Sequence, residues 1–348
     1  MKSVLTNLLT PIVQAPMAGV CNPELAAAVC NAGGLGFLAA GYQSSDAMVE
    51  QIRRTRALTD RPFAVNLFVP QPDVTAYRAA HIARYAQRVA TIASQYDVAP
   101  GAPVYDDDAF DDKIQRLIAD PVPLVTFTFG AVEPTIVAHL QAAGTEVGFT
   151  VTSANEARQA QALSADLLVA QGADAGGHRG TWSLDAVPND TETAALVTEV
   201  LAASELPVIA AGGVGEAADV ARLLGLGCTA VAAGTIFLAA DESTAPQVWK
   251  QAFTSGRFTN TVATRAFSGR IARALPNRFI DQLGQDAPAA YPQLHYLTRP
   301  IRAAAGRAGD PDGLALWAGT GFRHATARSA AQIVADLTPA SSRTPTND

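Results

Sequence analysis

The chain has little charge, few histidines and almost no cysteine, and each shortage excludes something. Charged residues make up only 16% of its 348 positions and the formal net charge is −7. That balance excludes a highly charged disordered chain and argues against nucleic acid or an anionic membrane as partner. The three cysteines, Cys21, Cys30 and Cys228, cannot all pair and show no C-x-x-C or zinc-finger spacing. They read as reduced core residues of a cytosolic protein. The five histidines (His81, His139, His178, His295 and His324) include no H-E-x-x-H, so no metal site is expected. No uninterrupted apolar stretch reaches the roughly 18 residues of a membrane span, and the first residues lack a signal-peptide pattern. A soluble, cytoplasmic protein is expected. G-x-S-x-G, a Walker A loop and a G-x-G-x-x-G after the first strand are all missing. A serine hydrolase, a P-loop enzyme and a doubly wound dinucleotide fold lose their main signatures with them.

What is present is apolar: hydrophobic residues make up 49% of the chain, enough to bury a large core. Short apolar runs alternate with helical patterns, as in Pro11–Ala15, Leu35–Ala39, Phe63–Phe68, Pro123–Phe127, Glu146–Val151, Asp166–Ala170, Leu206–Ala210 and Thr229–Ala232. Runs of this length without polar alternation read as parallel strands buried on both faces. Asn22 before Pro23, and Ser153 after the fifth run, are predicted helix N-caps. Eight strand–helix units match the closure number of a (β/α)8 barrel of the TIM type, whose usual length is about 250 residues. The predicted organisation is a barrel over residues 1–240 with a helical insertion after the third strand, about 71–120. A helical extension without convincing strands, 241–337, would pack on the barrel mouth, and 338–348 would be a disordered tail. The acidic run Asp106-Asp107-Asp108 fits no calcium loop and reads as a solvated helix start.

Parallel barrels place their chemistry at the carboxyl ends of the strands. Here those ends carry Ala15-Pro16-Met17, Asn66, Thr128, Gln171, Gly212-Gly213 and Gly234-Thr235. The glycine turns after the seventh and eighth strands stand where such barrels cradle phosphate with backbone N–H groups. The acidic chain offers a phosphate no other help. Asn66 is an amide in an apolar run, and leaving it unpaired would cost about 1–3 kcal/mol. A ligand contact or a hydrogen bond to a neighbouring strand would satisfy it. After the sixth strand comes Gln171-Gly172-Ala173-Asp174-Ala175-Gly176-Gly177-His178-Arg179-Gly180. Its glycines allow the close approach of a flat or anionic ligand, and His178 stands ready to exchange a proton with it.

That stretch, with Pro11–Gly19, Asn31–Gly36, Ala211-Gly212-Gly213, Ser268-Gly269-Arg270 and Leu275-Pro276-Asn277-Arg278, closely resembles the class I nitronate monooxygenases, formerly called 2-nitropropane dioxygenases. The resemblance implies an FMN-dependent enzyme that oxidises alkyl nitronates with dioxygen to a carbonyl compound and nitrite. It implies that Ala15, Pro16 and Met17 pass along the flavin ring, and that Asn66 and Gln171 bond its polar edge or ribityl chain. Gly176, Gly177, Gly212, Gly213, Ala232, Ala233, Gly234 and Thr235 would hold the ribityl chain and phosphate. His178 matches the family's active-site histidine, acting as base or electrostatic partner. Thr128 stands where relatives commonly carry histidine, and Ala232-Ala233 where they carry Gln-Met. Tyr105, Thr128, Tyr291, His295 and Arg299 are the candidate substrate-pocket residues. The protein would be a monomer or homodimer. An NAD(P)H-dependent quinone or enoyl reductase on the same barrel is the alternative, and a flavin-binding protein without turnover the second.

Overall fold

The computed structural model of the protein describes residues 3–340. Its central sheet contains β1 (Ile12–Gln14), β2 (Phe37–Ala39), β3 (Ala64–Phe68), β4 (Leu124–Thr128), β5 (Glu146–Val151) and β6 (Leu167–Gln171). A two-residue strand, β7 (Gly177–His178), lies outside this sheet, which resumes with β8 (Val208–Ala211) and β9 (Ala230–Ala233). Neighbours pair in parallel from β2 through β6, β8 and β9 back to β1. A parallel bridge between Val13 and Leu35 closes the ring. There Gln14 N–H donates to the Leu35 carbonyl and Leu35 N–H to that of Ile12, both at 2.9 Å.

Both faces of the ring are buried, which is why the strands read as unbroken apolar runs. Val13, Leu35, Phe37, Ala64, Leu124, Leu167, Ile209 and Ala230 fill the interior, and Val4 and Leu5 of a short 3-10 turn join them. Ile12, Leu38, Val65, Val125, Phe149, Leu168, Val208 and Val231 pack outward against the helices. Side chains alternate along a strand, so Asn66 follows Ala64 inward, Thr126 and Thr128 follow Leu124, and Gln171 shares the face of Leu167. The interior therefore turns from apolar to polar toward the carboxyl ends. Asn22 and Ser153 cap their helices, accepting from the N–H groups of Leu25 (2.8 Å) and Glu156 (3.2 Å).

A second apolar cluster joins the tract after β3 to the carboxyl-terminal part of the chain. In it Ile82, Tyr85, Val89 and Ile92 of the helix Ala79–Ala93 meet Leu294, Leu297 and Ile301 of the helix Gln293–Ala308.

Three expectations are corrected here. The extension is not free of strands: β10 (Val262–Thr264) and β11 (Ala272–Ala274) pair antiparallel, and β11 pairs with β7. These strands have three residues or fewer, too short for a period, and their partner backbone is distant in sequence. Asp106 and Asp107 are exposed as expected, but Asp108 is only partly so: it pairs with Lys113 at 2.9 Å, and the Lys113 side chain is fully buried. Burial pushes the Asp108 carboxyl up to about 6 despite that ammonium. Finally, Thr338 is buried, with its hydroxyl donating to Val334 O at 2.7 Å, so the tail does not begin there. Residues 341–348 of the expected tail lie outside the described residues.

Candidate active site

The polar end of the barrel opens into a cleft of about 1320 Å³, including its mouth. Ala15, Pro16, Met17, Asn66, Gln171, Gly176, Gly177, Gly212, Gly213, Ala232, Ala233, Gly234 and Thr235 all line it, as do Thr128 and His178. The remaining sequence candidates fall elsewhere. Tyr105 and Arg299 are exposed and do not line the cleft. Tyr291 and His295 stand behind its wall: the Tyr291 ring is 5.7 Å from that of His178, and His295 stacks on Tyr42 at 3.9 Å.

Asn66 shows how its amide is satisfied. Its Nδ2 donates to the hydroxyls of Thr126 and Thr128, both at 2.9 Å, and Thr128 Oγ1 lies 3.0 Å from Thr150 Oγ1. The neighbouring strands thus occupy the donor side, while Oδ1 has no protein partner and is not sealed from the cleft. Gln171 is engaged at both ends inside its own loop. Its Nε2 donates to His178 O at 2.9 Å and its Oε1 accepts from Gly180 N–H at 2.7 Å. The Arg179 guanidinium donates to the Gln171 carbonyl as well. Gln171 is therefore a brace for the loop that carries His178.

The glycine rim is required by close packing. A Cβ at Gly212, whose φ is +134°, would collide with Thr193 Oγ1, and one at Gly176 with the Gly319 backbone N. Gly177 differs: its φ of +75° needs the left-handed region, but nothing stands within 4 Å of an added Cβ.

β11, which with β10 and the carboxyl-terminal segments beside them forms a cap, holds His178 from behind. Pairing Ala272 with His178 and Arg273 with Gly177 fixes the backbone, and Arg179 N–H donates to Ile271 O at 2.8 Å. The imidazole is wedged among Phe129, Tyr291 and Trp317, with Nε2 2.8 Å from Ser268 Oγ. Behind this wall Arg270 lies over the Phe129 ring at 3.9 Å and donates to Thr181 O and, at 3.2 Å, to Gln71 Oε1. Arg302 donates to His295 O at 2.8 Å. Neither guanidinium has a carboxylate partner among the described residues. Burial, then the Arg270 and Arg302 charges, push the His178 imidazole down to about 3. It is neutral at physiological pH. His295 is likewise held below its ordinary range, by burial and then by Arg302.

Sequence reasoning passed over several lining residues. Phe68 ends β3 and Tyr42 and Phe129 follow the ends of β2 and β4, whereas Trp317, Gly319 and Gly321 come from the far end of the chain. The glycine spacing in Trp317-Ala318-Gly319-Thr320-Gly321 was the available signal. Gly319 N–H donates to Thr235 Oγ1 at 2.9 Å, which stitches that segment to the rim. Ser268-Gly269-Arg270 was visible as a motif without a role; it carries the contact to the histidine.

A closed parallel barrel with a glycine-walled cleft, and a histidine held over it by β11, defines a (β/α)8 barrel with a ligand site at the carboxyl ends of its strands. The nitronate monooxygenase family model matches residues 2–340, and the chain belongs to that family. It is 38% identical over 341 residues to the nitronate monooxygenase of Paraburkholderia phytofirmans, covering 96% of this chain and 92% of that protein. A probable nitronate monooxygenase of Staphylococcus saprophyticus is 37% identical over 324 residues, with 90% of each chain covered. Among solved structures, nitroalkane oxidase from Streptomyces ansochromogenes superposes with a TM-score of 0.92 at 46% identity, covering 96% of both chains. FabK from Thermotoga maritima superposes with a TM-score of 0.74 at 28% identity, covering 96% of this chain and 93% of that one.

Proposed function

We propose that the protein binds FMN non-covalently in this cleft and oxidises alkyl nitronates with dioxygen, releasing a carbonyl compound and nitrite. The observation that carries this reading is the His178 imidazole lining a cleft walled by bare main chain, with two buried guanidiniums behind it that have no carboxylate partner among the described residues. The residues present fit the coenzyme. Gly176, Gly177, Gly212, Gly213 and Gly234 line the cleft with main chain that carries no side chain, and Ala15-Pro16-Met17 offers a flat apolar edge. The Trp249 indole N–H borders the same cleft, buried and without a protein acceptor, so it has a donor to spare for a ligand. Asn66 Oδ1 is a spare acceptor.

The chemistry a bound FMN supplies is electron acceptance from the nitronate and return of those electrons to dioxygen. The chain does the rest. A nitronate is a resonance-stabilised anion with its charge on the nitro oxygens, and the Arg270 and Arg302 field favours such an anion beside His178. Phe129, Tyr291 and Trp317 exclude water from that side, which strengthens the field. The cytoplasmic placement, and a working unit of one or two chains, belong to the same proposal.

The test is direct. The purified protein is expected to be yellow, to release FMN on heating, and to form nitrite from ethylnitronate in air. A colourless protein that cannot be loaded with FMN contradicts the proposal.

A further inference from the structure

The side of the imidazole that meets the ligand is set by a hydroxyl outside the barrel. We propose that Ser268 is a positioning residue that fixes His178 in the tautomer protonated on Nδ1, so that the ring meets its ligand as a hydrogen-bond donor to an oxyanion and not as a base. The inference about the ligand rests on the nitronate reading; the tautomer does not.

Ser268 is 1% exposed and sits in the turn leading into β11. Its Oγ accepts from Arg270 N–H at 3.3 Å, and its single proton faces two acceptors. His178 Nε2 lies at 2.8 Å and the Arg270 carbonyl oxygen at 3.2 Å. Hydroxyl hydrogen bonds are strongest below about 3.0 Å, so the carbonyl is the weaker of the two acceptors. The contact to Nε2 is a normal hydroxyl distance, and the proton belongs there. A nitrogen that accepts cannot also carry hydrogen, so the neutral ring has its proton on Nδ1. Nδ1 has no protein partner and is not among the buried unpaired atoms, whereas His178 lines the cleft. The open nitrogen is therefore the donor.

This assignment narrows the substrate. A ring that presents N–H cannot take the α-proton of a neutral nitroalkane, but it can bond the oxygen of a nitronate formed beforehand. The two buried guanidiniums act in the same direction, because they oppose a second proton on the ring. The chemical class selected is the preformed nitronate anion. Ionisation of the nitroalkane is left to solution or to another catalyst.

The experiment uses the FMN-loaded enzyme labelled with [15N]histidine, with the His178 signals assigned by their loss in His178→Asn. A protonated Nδ1 and an unprotonated Nε2, unchanged from pH 6 to 8, are the expected result. The opposite tautomer, or a signal averaged over both, overturns the assignment. Free imidazole favours Nε2–H, so Ser268→Ala should move His178 toward that form and Ser268→Thr should restore Nδ1–H. In step with this, kcat/KM for ethylnitronate should fall about tenfold in Ser268→Ala and stay within about twofold in Ser268→Thr. Freshly dissolved nitroethane should be turned over far more slowly than ethylnitronate by the wild type, and equal rates sink the donor role. An Nδ1–H signal in an enzyme inert toward both compounds would remove the nitronate reading and leave the tautomer standing.

Discussion

The cleft is built by two regions of opposite character. Its floor and rim are strand ends of the barrel: glycine, alanine, threonine and an amide, uncharged and locked by close backbone packing. Its back wall comes chiefly from the cap, where Ser268, Arg270, Tyr291, Arg302 and Trp317 bring aromatic rings and buried cations around His178. The rim offers shape with almost no field, whereas the wall offers a field with little room. The difference teaches that holding a ligand and setting the electrostatics of its reacting end are separable tasks, carried by residues that come from different stretches of the chain. His178 is the joint between them, rooted in a barrel loop and oriented by the cap.

Substitutions on the two sides should therefore fail differently. His178→Ala removes the donor but no part of the rim. It should lower kcat/KM for ethylnitronate about a hundredfold while the flavin absorbance per protein is unchanged. Loss of colour in that variant would merge the two regions. The next effect is on pH. The folded site keeps His178 neutral down to about 3, while the unfolded chain takes up a proton below about 6.5. Folding stability is then lost as pH falls through that window, at up to about 1.4 kcal/mol per unit. From pH 6.5 to 5 the wild type should lose about 2 kcal/mol more than His178→Ala in urea unfolding. Equal losses would show that the wall imposes no such field.

Within the glycines the comparison sharpens. Gly212→Ala meets both a positive φ and Thr193 Oγ1, so it should cost about 1–3 kcal/mol and empty the site of flavin. Its effect is on the turn itself, since the added Cβ points into protein and not into the cleft. Gly177→Ala meets only the left-handed backbone and should cost about 1 kcal/mol with flavin retained. Smallest is Tyr42→Phe, which removes the 3.0 Å bond donated by Tyr291 and should cost about 1 kcal/mol or less, with kcat nearly unchanged.

How much of this was legible in the sequence follows the same division. Each barrel strand lies within a residue or two of its apolar run, and Glu146–Val151 coincides with its run throughout. The reason is local: both faces are buried, so every residue of a run carries the signal. The strand-end residues converge on one cleft because the fold class sets where strands end. The cap was illegible for the converse reason. Ala272-Arg273-Ala274 has no pattern to detect and is a strand only because Gly177-His178 lies beside it. Trp317 and the glycines after it reach the cleft through tertiary packing alone. Tyr105 and Arg299, chosen by resemblance, face outward, and Arg302, one helical turn beyond Arg299, turns toward His295 instead. Buried charge without a carboxylate partner has no sequence signature at all.

The central claim is that electrons enter this site from a nitronate. Anaerobic mixing of the FMN-loaded protein with ethylnitronate, followed at the flavin absorption maximum, tests it most directly. Prompt bleaching by the nitronate, and none by NADH or NADPH, is the predicted result. Bleaching by a nicotinamide with no response to the nitronate would contradict the account.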